Sequence, residues 1–220
     1  MSTHPPAAPD EKRRILASCR LYGIVDTGYV KPCEVRAKTE ALLEGGVRVV
    51  QLRAKDLPPD RVIGHARVMQ SLCRAAGALF VLNDYIHLAA ELGADALHVG
   101  QDAGSLAGVR ALVGPGMIVG RSTHSRGQAL AAFEEGADYI GFGPLFPTPT
   151  KPGRPAIGLA GIGAVHALLP GFPIFCIGGV SGATLPLVLR AGALRVVVVS
   201  WLLKQPRTAD AARGLIAKLT

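Results

Sequence analysis

Two cations and an amide alternate at the end of a strongly apolar run. Gln51, Arg53 and Lys55 close a predicted strand, Val47–Leu52, and precede a proline-rich turn. Alternate residues of an extended chain point to the same side, so a guanidinium and an ammonium group would lie together. A multiply charged anion such as diphosphate relieves their repulsion. An isolated Arg-x-Lys is more often a pair of solvated surface cations, but here other strand ends carry similar groups.

Polar residues follow most of the other predicted strands as well. In a parallel barrel the carboxyl ends of all strands meet at one face, so these residues would converge there. In chain order they are Asn83 and Asp84, then His98, Gln101 and Asp102, then Arg121–His124, then Thr148, Thr150 and Lys151, then Gly178 and Gly179, and finally Ser200.

Eight apolar runs, about 25 residues apart, alternate with amphipathic stretches and predict eight βα units. The predicted strands are Leu21–Val25, Val47–Leu52, Leu79–Leu82, Ala96–Val99, Met117–Val119, Tyr139–Phe142, Ile174–Ile177 and Val196–Ser200. We therefore expect an α/β chain that forms one (β/α)8 TIM barrel over residues 15–220. An open doubly wound sheet is the alternative, but no glycine-rich dinucleotide fingerprint follows the first strand.

Similar turns lead from helices into strands at four places in the chain. The triplet Gly-Ala-Asp precedes strands at 93–95 and 136–138, and related turns occur at 46–48 and 192–194. Such turns are a common way to pass from a helix to a strand, so they indicate architecture rather than chemistry.

Residues 1–14 are polar and proline-rich, and we expect them to form a disordered tail.

The composition restricts the class of partner. The chain has 220 residues, a net charge of +8 and only 5% aromatic residues. The charge suits small phosphorylated substrates, whereas the scarcity of aromatics argues against nucleic acid. No apolar run is long enough for a membrane span or resembles a signal peptide, and the four cysteines are scattered. We expect a cytoplasmic protein with no membrane partner, and a homo-oligomer is left open.

The residues themselves indicate two phosphate sites. Asp84 and Asp102 could share a magnesium ion with a diphosphate held by Arg53 and Lys55, although Asp84 could instead cap the helix that begins near Ile86. The glycines at 178–179 and the hydroxyl group of Ser200 would hold a monophosphate after the last two strands. The loop with Thr148, Thr150 and Lys151 could act as a lid.

The ordered set of motifs resembles the thiamine phosphate synthase family. The matching segments are Gln51–Lys55, Asn83–Asp84, His98–Asp102, Gly120–Ser125, Gly143–Lys151, Ile177–Val180 and Val199–Ser200. The resemblance implies a (β/α)8 barrel that requires Mg2+. It also implies condensation of 4-amino-5-hydroxymethyl-2-methylpyrimidine diphosphate with 4-methyl-5-(2-hydroxyethyl)thiazole phosphate, which gives thiamine phosphate and diphosphate.

The resemblance also implies a role for each matching residue. Catalytic contacts to the pyrimidine and its diphosphate would come from Arg53, Lys55, Ser122 and Lys151. Substrate-binding contacts would come from Gln51, Asn83, His98, Thr148, Thr150, Gly179, Val199 and Ser200. Metal ligands would be Asp84 and Asp102.

One position departs from the family. The second metal carboxylate of the family falls at Ala103 here, and the acid stands one residue earlier, at Asp102. A related alternative is a thiazole tautomerase of the same superfamily, in which His124 would be the acid and base. Another alternative is a barrel that binds a phosphorylated ligand without catalysis.

Overall fold

Eight parallel strands close into a barrel in the order of the chain, each paired with the next and β8 with β1. The structure is a computed structural model that describes residues 9–55, 57–148 and 155–219. The strands are β1 Leu21–Asp26, β2 Val49–Arg53, β3 Leu79–Asn83, β4 Ala96–Val99, β5 Ile118–Thr123, β6 Tyr139–Phe142, β7 Ile174–Cys176 and β8 Val196–Val198. The predicted (β/α)8 barrel is confirmed, and the open doubly wound sheet is wrong.

Helices alternate with these strands. The α-helices are α1 Pro9–Ser18, α2 Val35–Glu44, α3 Pro59–Ala75, α4 Ile86–Leu92, α5 Leu106–Val113, α6 Arg126–Glu134, α7 Ile162–Leu168, α8 Leu185–Arg190, α9 Ser200–Leu203 and α10 Thr208–Ile216. Short 3-10 helices lie at Pro32–Glu34 and Gln101–Ala103. No helix in these described ranges combines the length and apolar character needed to cross a membrane.

Six strands differ from their predicted bounds, most of them by one or two residues, and the largest differences are in β5 and β8. β5 continues through Arg121, Ser122 and Thr123, which are all buried, although the apolar run ends at Val119. The strand can carry these polar residues because their side chains find partners inside the fold, among them the Glu135 carboxylate for Arg121. β8 stops at Val198, and Ser200 begins α9.

The Gly-Ala-Asp turns are structural, as predicted. The Asp95 carboxylate accepts a hydrogen bond from the backbone N–H of Phe80 at 3.0 Å, and Asp138 accepts from that of Val119 at 2.8 Å. Each carboxylate therefore ties the start of its own strand to the preceding strand. This position is at the amino ends of the strands, away from the face where a barrel carries its chemistry.

Helix α1 packs against the amino-terminal end of the barrel. Residues 9–14 lie in this helix, within the stretch for which the sequence predicts a disordered tail. Leu16 is 3% exposed and joins the apolar cluster of the barrel interior with Val49 and Leu79. Lys12 pairs with Asp95 at 2.9 Å, which fixes the helix to one of the Gly-Ala-Asp turns. Sequence alone misses this docking because the apolar face of α1 is only a few residues wide.

Because α1 packs on the barrel, replacing its buried leucine should destabilise the protein far more than replacing an exposed leucine in another helix. Leu16→Ala should lower the free energy of unfolding by about 2–4 kcal/mol, because it empties a buried position. Leu112→Ala, at a side chain that is 51% exposed in α5, should change it by less than about 0.5 kcal/mol. Urea titration of both variants measures this difference, and equal, small effects would show that α1 does not pack on the barrel.

Candidate active site

A pocket opens among the carboxyl ends of the strands. Its empty volume is about 920 Å3, including the part open to solvent, and its lining includes residues of all eight strands. It reaches down into the barrel, where the aromatic rings of Tyr22, Tyr139 and Phe175 form its floor. The site therefore combines an apolar base with polar walls.

Most of the predicted site residues line this pocket. They are Gln51, Arg53, Asn83, His98, Ser122, Thr148, Gly179, Val199 and Ser200. Lys55, Asp84 and Asp102 are exposed side chains outside the described lining. The predicted residues Thr150 and Lys151 lie outside the described residues. Of the residues predicted to hold the diphosphate, Arg53 therefore lines the same pocket as Gly179 and Ser200, which are predicted to hold the monophosphate.

A chain of hydrogen bonds crosses the base of the pocket. The Gln51 amide nitrogen Nε2 donates to the Tyr22 hydroxyl at 2.8 Å, and the Tyr22 and Tyr139 hydroxyl groups are 3.2 Å apart. The Tyr139 hydroxyl is 3.1 Å from His98 Nδ1, and His98 Nε2 is 3.0 Å from Ser122 Oγ. These contacts join residues of five strands, so the polar groups of the pocket share one network.

The two tyrosines of this network were not predicted as site residues. Tyr22 and Tyr139 stand in apolar strands and are 2% and 1% exposed, which is typical of core aromatics. The available signal is Gly120, which lies in the Gly-Arg-Ser motif on β5. A Cβ atom there would lie 2.1 Å from the Tyr139 ring, so the glycine makes room for that ring.

Arg53 has a buried partner that sequence reasoning also missed. Its Nη1 donates to Asp26 Oδ2 at 2.7 Å, and the two side chains are 14% and 2% exposed. β1 and β2 pair in register with Asp26 opposite Arg53. The guanidinium has five N–H donors, so it can hold Asp26 and also face an anion in the pocket that it lines. In the sequence, the only indication of this ion pair is an acidic residue at the end of the first strand.

Lys55 and Asp84 form a second, more exposed pair beside the pocket. Lys55 Nζ is 3.4 Å from Asp84 Oδ2, with side chains 50% and 39% exposed. The two predicted cations therefore each have a carboxylate partner within the protein. An exposed pair contributes little to stability, so Lys55 and Asp84 can exchange this contact for a ligand at low cost.

Asp84 adopts a backbone conformation that is uncommon for a residue other than glycine. Its φ is 65°, in the left-handed region that aspartate tolerates better than most residues. Asn83 Nδ2 donates to its carboxylate at 2.7 Å. Helix α4 is capped at Tyr85 without a side-chain hydrogen bond, so the alternative that Asp84 caps this helix is wrong. Strain of this kind is concentrated at functional sites, which favours a binding role for the carboxylate.

Arg121 holds the loop that carries Asp102. Its Nη2 donates to the carbonyl oxygens of Gln101 at 3.1 Å and Gly104 at 2.8 Å, and its Nη1 donates to Glu135 at 3.0 Å. Asp102 lies between these anchored carbonyls, on the 3-10 helix, with an exposed side chain. The backbone of this loop is therefore fixed, and a shift of the loop toward Asp84 would break buried hydrogen bonds.

The donor set is compatible with a magnesium ion. Within residues 9–55, 57–148 and 155–219, no three His, Cys, Asp or Glu side chains are grouped to hold a metal. Magnesium uses one or two carboxylates and completes its shell with water and phosphate oxygens. The exposed, oriented carboxylate of Asp84 meets that requirement.

Glycines shape the opposite side of the pocket. Gly178 and Gly179 have φ values of 100° and 68°. A Cβ atom on Gly179 would lie 2.6 Å from the Cβ of Phe146. The loop after β6 also binds here, since Leu145 and Phe146 donate their backbone N–H groups to Ile177 and Gly178. Only glycine fits this conformation and this contact, so the backbone itself forms the pocket wall.

The family model, two similar curated relatives and one solved structure point to the same family. The model of the thiamine monophosphate synthase family matches residues 21–202. A thiamine-phosphate synthase of Thermus thermophilus is 47% identical over 182 residues, which are 83% of this chain and 87% of that protein. One from Mycobacterium avium is 44% identical over 193 residues, with 84% and 86% covered. The solved structure of thiamine phosphate pyrophosphorylase from Pyrococcus furiosus superimposes with a TM-score of 0.82 at 28% identity, covering 94% of this chain and 96% of that chain.

The buried Asp26–Arg53 pair predicts an unequal response to single and double substitution. Arg53→Ala leaves a buried carboxylate without its cation and should lower the free energy of unfolding by about 2–4 kcal/mol. Adding Asp26→Asn removes that charge while an amide oxygen can still accept from the backbone N–H of Gly28, as Asp26 does at 2.9 Å.

The double variant should therefore regain most of the lost stability, as measured by urea unfolding of both proteins. Arg36→Ala, in an exposed pair with Glu40 on α2, is the control and should have little effect. Additive losses in the double variant would contradict a coupled, buried pair.

Proposed function

The chain belongs to the thiamine monophosphate synthase family, and on that premise we propose how its pocket makes thiamine phosphate. The pyrimidine diphosphate and the thiazole phosphate enter the same space. A carbon–oxygen bond breaks between the pyrimidine methylene group and its diphosphate. A carbon–nitrogen bond then forms between that methylene group and the thiazole nitrogen, and diphosphate is released.

One observation carries this proposal: among the described residues, one pocket is lined both by Arg53 and Asn83, which we assign to the diphosphate, and by Gly178, Gly179 and Ser200, which we assign to the monophosphate. The first set stands at the ends of β2 and β3 and the second follows β7 and β8, so the two sets occupy different sides of the barrel mouth. Two phosphorylated substrates bound at these sides would have their organic parts between them, above the aromatic floor. Holding two reactants in this way removes much of the entropy cost of their encounter.

The residues supply charge and position rather than a nucleophile. An electron-rich aminopyrimidine can stabilise a methylene cation, so the main requirement is to neutralise the departing diphosphate. Arg53 is fixed by Asp26, and Lys55 and Lys151 are the further cations assigned to that anion. Preorganised charges of this kind stabilise developing charge without rearrangement during the reaction. Buried cysteines are poor candidates for a nucleophile, because burial raises the pKa of the Cys176 thiol to about 12.

We assign magnesium to the diphosphate side of the pocket. Asp84 would hold it, and Asp102 would be the second carboxylate. When bound, magnesium neutralises phosphate charge and makes diphosphate a better leaving group. The oriented carboxylate of Asp84 supports the first assignment. The exposed Asp102 next to an anchored loop supports only a contact through water or through a substrate that brings its own oxygens.

The cysteines bear on the cellular setting, and His124 bears on the tautomerase alternative. All four cysteines are free thiols, which supports a reducing, cytoplasmic setting. The roles of Thr148 and Thr150 on the thiazole substrate, and any homo-oligomer, remain proposals. His124 lines the pocket and its Nδ1 contacts the carbonyl oxygen of Gly143. That contact orients the ring and leaves Nε2 as its second nitrogen, so His124 does not by itself separate the two activities, and it is the synthase relatives that favour the first.

The proposed reaction predicts thiamine phosphate from purified protein, both substrates and magnesium. Product should form in proportion to enzyme and should fall when magnesium is chelated, as measured by conversion of the product to fluorescent thiochrome phosphate. A protein that isomerises the thiazole phosphate but makes no thiamine phosphate would replace this function with the tautomerase. Binding of either substrate without any turnover would favour the non-catalytic barrel.

The metal assignment predicts different effects of two carboxylates. Asp84→Asn should raise the magnesium concentration for half-maximal rate at least tenfold, since it removes an oriented anionic ligand. If Asp102 also takes part, Asp102→Asn should raise that concentration and Ala103→Asp should bring little gain. A silent Asp102→Asn together with tighter magnesium binding in Ala103→Asp would show that the second carboxylate has been lost. Titration of bound manganese by electron paramagnetic resonance, with diphosphate present, gives the same comparison without turnover.

A further inference from the structure

The hydrogen-bonded chain under the pocket has one direction in which the proton of each buried tyrosine meets an acceptor within the chain. Gln51 Nε2 donates to the Tyr22 hydroxyl oxygen. The acceptor left for the Tyr22 proton is then the Tyr139 oxygen, 3.2 Å away. In this direction the Tyr139 proton goes to His98 Nδ1 at 3.1 Å. The imidazole proton of neutral His98 would then reside on Nε2 and be donated to Ser122 Oγ at 3.0 Å.

Both phenols stay protonated, which keeps the chain intact. Burial raises the pKa of Tyr22 and of Tyr139 well above the usual value for tyrosine. Each hydroxyl group therefore keeps its proton at neutral pH, where it can donate one hydrogen bond and accept another. A hydroxyl group that accepts a hydrogen bond from one neighbour donates its own proton to the next. The orientation of the Gln51 amide therefore sets which ring nitrogen of His98 is protonated.

The barrel makes specific room for this chain. Gly120 on β5 leaves space for the Tyr139 ring, which a Cβ atom would meet at 2.1 Å. Gly141 on β6 lies against the His98 ring, with the position of its missing Cβ 3.5 Å from Cε1. The rings of His98 and Tyr139 are 5.5 Å apart. Glycine at position 120 is therefore required by the tyrosine ring, whereas a side-chain carbon at position 141 would be in ordinary van der Waals contact with His98.

The two ends of the chain present opposite groups to the pocket. Gln51 gives its amide nitrogen to Tyr22, which leaves its carbonyl oxygen Oε1 as an acceptor for a ligand. Ser122 accepts from His98, which leaves the hydroxyl proton of Ser122 as a donor for a ligand. Both residues line the pocket. An aminopyrimidine is the complement, since its amino group donates and its ring nitrogen accepts, whereas an oxopyrimidine has the reverse pattern.

We propose that Tyr22 and Tyr139 are positioning residues that fix His98 in its Nε2–H form and thereby set the pocket to recognise an aminopyrimidine. This proposal rests on the proposed function for the identity of the ligand. The state of His98 itself does not depend on the ligand, so the two can fail separately.

The test is the protonation state of the His98 ring in the ligand-free protein. Nitrogen-15 NMR of histidine-labelled protein distinguishes a protonated from a bare ring nitrogen, and His98→Gln identifies the signals among the six histidines. We expect wild-type His98 to carry its proton on Nε2, with Nδ1 bare. A neutral ring with its proton on Nδ1 would overturn the proposal.

Two matched variants each remove one buried hydroxyl group from the chain. Tyr139→Phe removes the donor to Nδ1, so the His98 ring should become a mixture of both neutral forms. Tyr22→Phe removes the donor that sets the direction of the Tyr139 hydroxyl group, so the His98 ring should become a mixture of both neutral forms in this variant as well. A His98 spectrum that stays like that of the wild type in either variant would overturn the proposal for that tyrosine.

Steady-state kinetics extends the test to recognition. In Tyr139→Phe the KM for the pyrimidine diphosphate should rise roughly tenfold, the equivalent of one hydrogen bond, while the KM for the thiazole phosphate should stay near that of the wild type. Equal changes in both KM values would indicate general damage to the pocket and overturn the role in recognition. If the wild type has no turnover, the proposed function fails while the NMR result still decides the state of His98.

Discussion

The interior of a closed parallel barrel excludes water, so every polar side chain within it needs a partner from another strand. The site depends on how this chain meets that constraint. Gln51 and Asn83 are buried, and so is Asp26. Each is satisfied by a side chain of another strand or of its own strand end: Tyr22 for Gln51, Asp84 for Asn83 and Arg53 for Asp26. Gln51, Asn83 and Arg53 also line the pocket, so the hydrogen bonds that permit burial of the two amides and of Asp26 also orient the side chains that border it.

This arrangement makes the site rigid before any substrate binds. Arg53 is held by a carboxylate, the loop of Asp102 by Arg121, and Ser122 by His98. Charges that are already oriented stabilise a departing anion better than charges that must first rearrange. By contrast, Lys55 and Asp84 form an exposed pair at the edge of the pocket. Their side chains can rearrange more easily than the buried ones, and this is where a metal and a diphosphate would bind.

Sequence reasoning located the site but not its supporting contacts. The alternation of strands and helices and the polar residues after each strand predicted the barrel and the convergence of Gln51, Arg53 and Asn83. The pairing of Asp26 with Arg53 depends on strand register, which is a property of the closed sheet. Tyr22 and Tyr139 are 117 positions apart and meet only across the barrel interior, so from sequence each is indistinguishable from an ordinary core aromatic. Helix α1 was missed for a similar reason, since its packing depends on where the barrel ends.

The central claim is that Arg53 acts on the diphosphate and is more than the partner of a buried acid. The most direct measurement is the kcat of the Asp26→Asn, Arg53→Ala double variant with both substrates and saturating magnesium, because in that protein the buried charge has been removed together with the arginine. The account predicts a kcat lower than that of the wild type by roughly 10²-fold, the size expected for one lost transition-state contact, with Asp26→Asn alone affected much less. A double variant that folds stably and turns over like the wild type would contradict it.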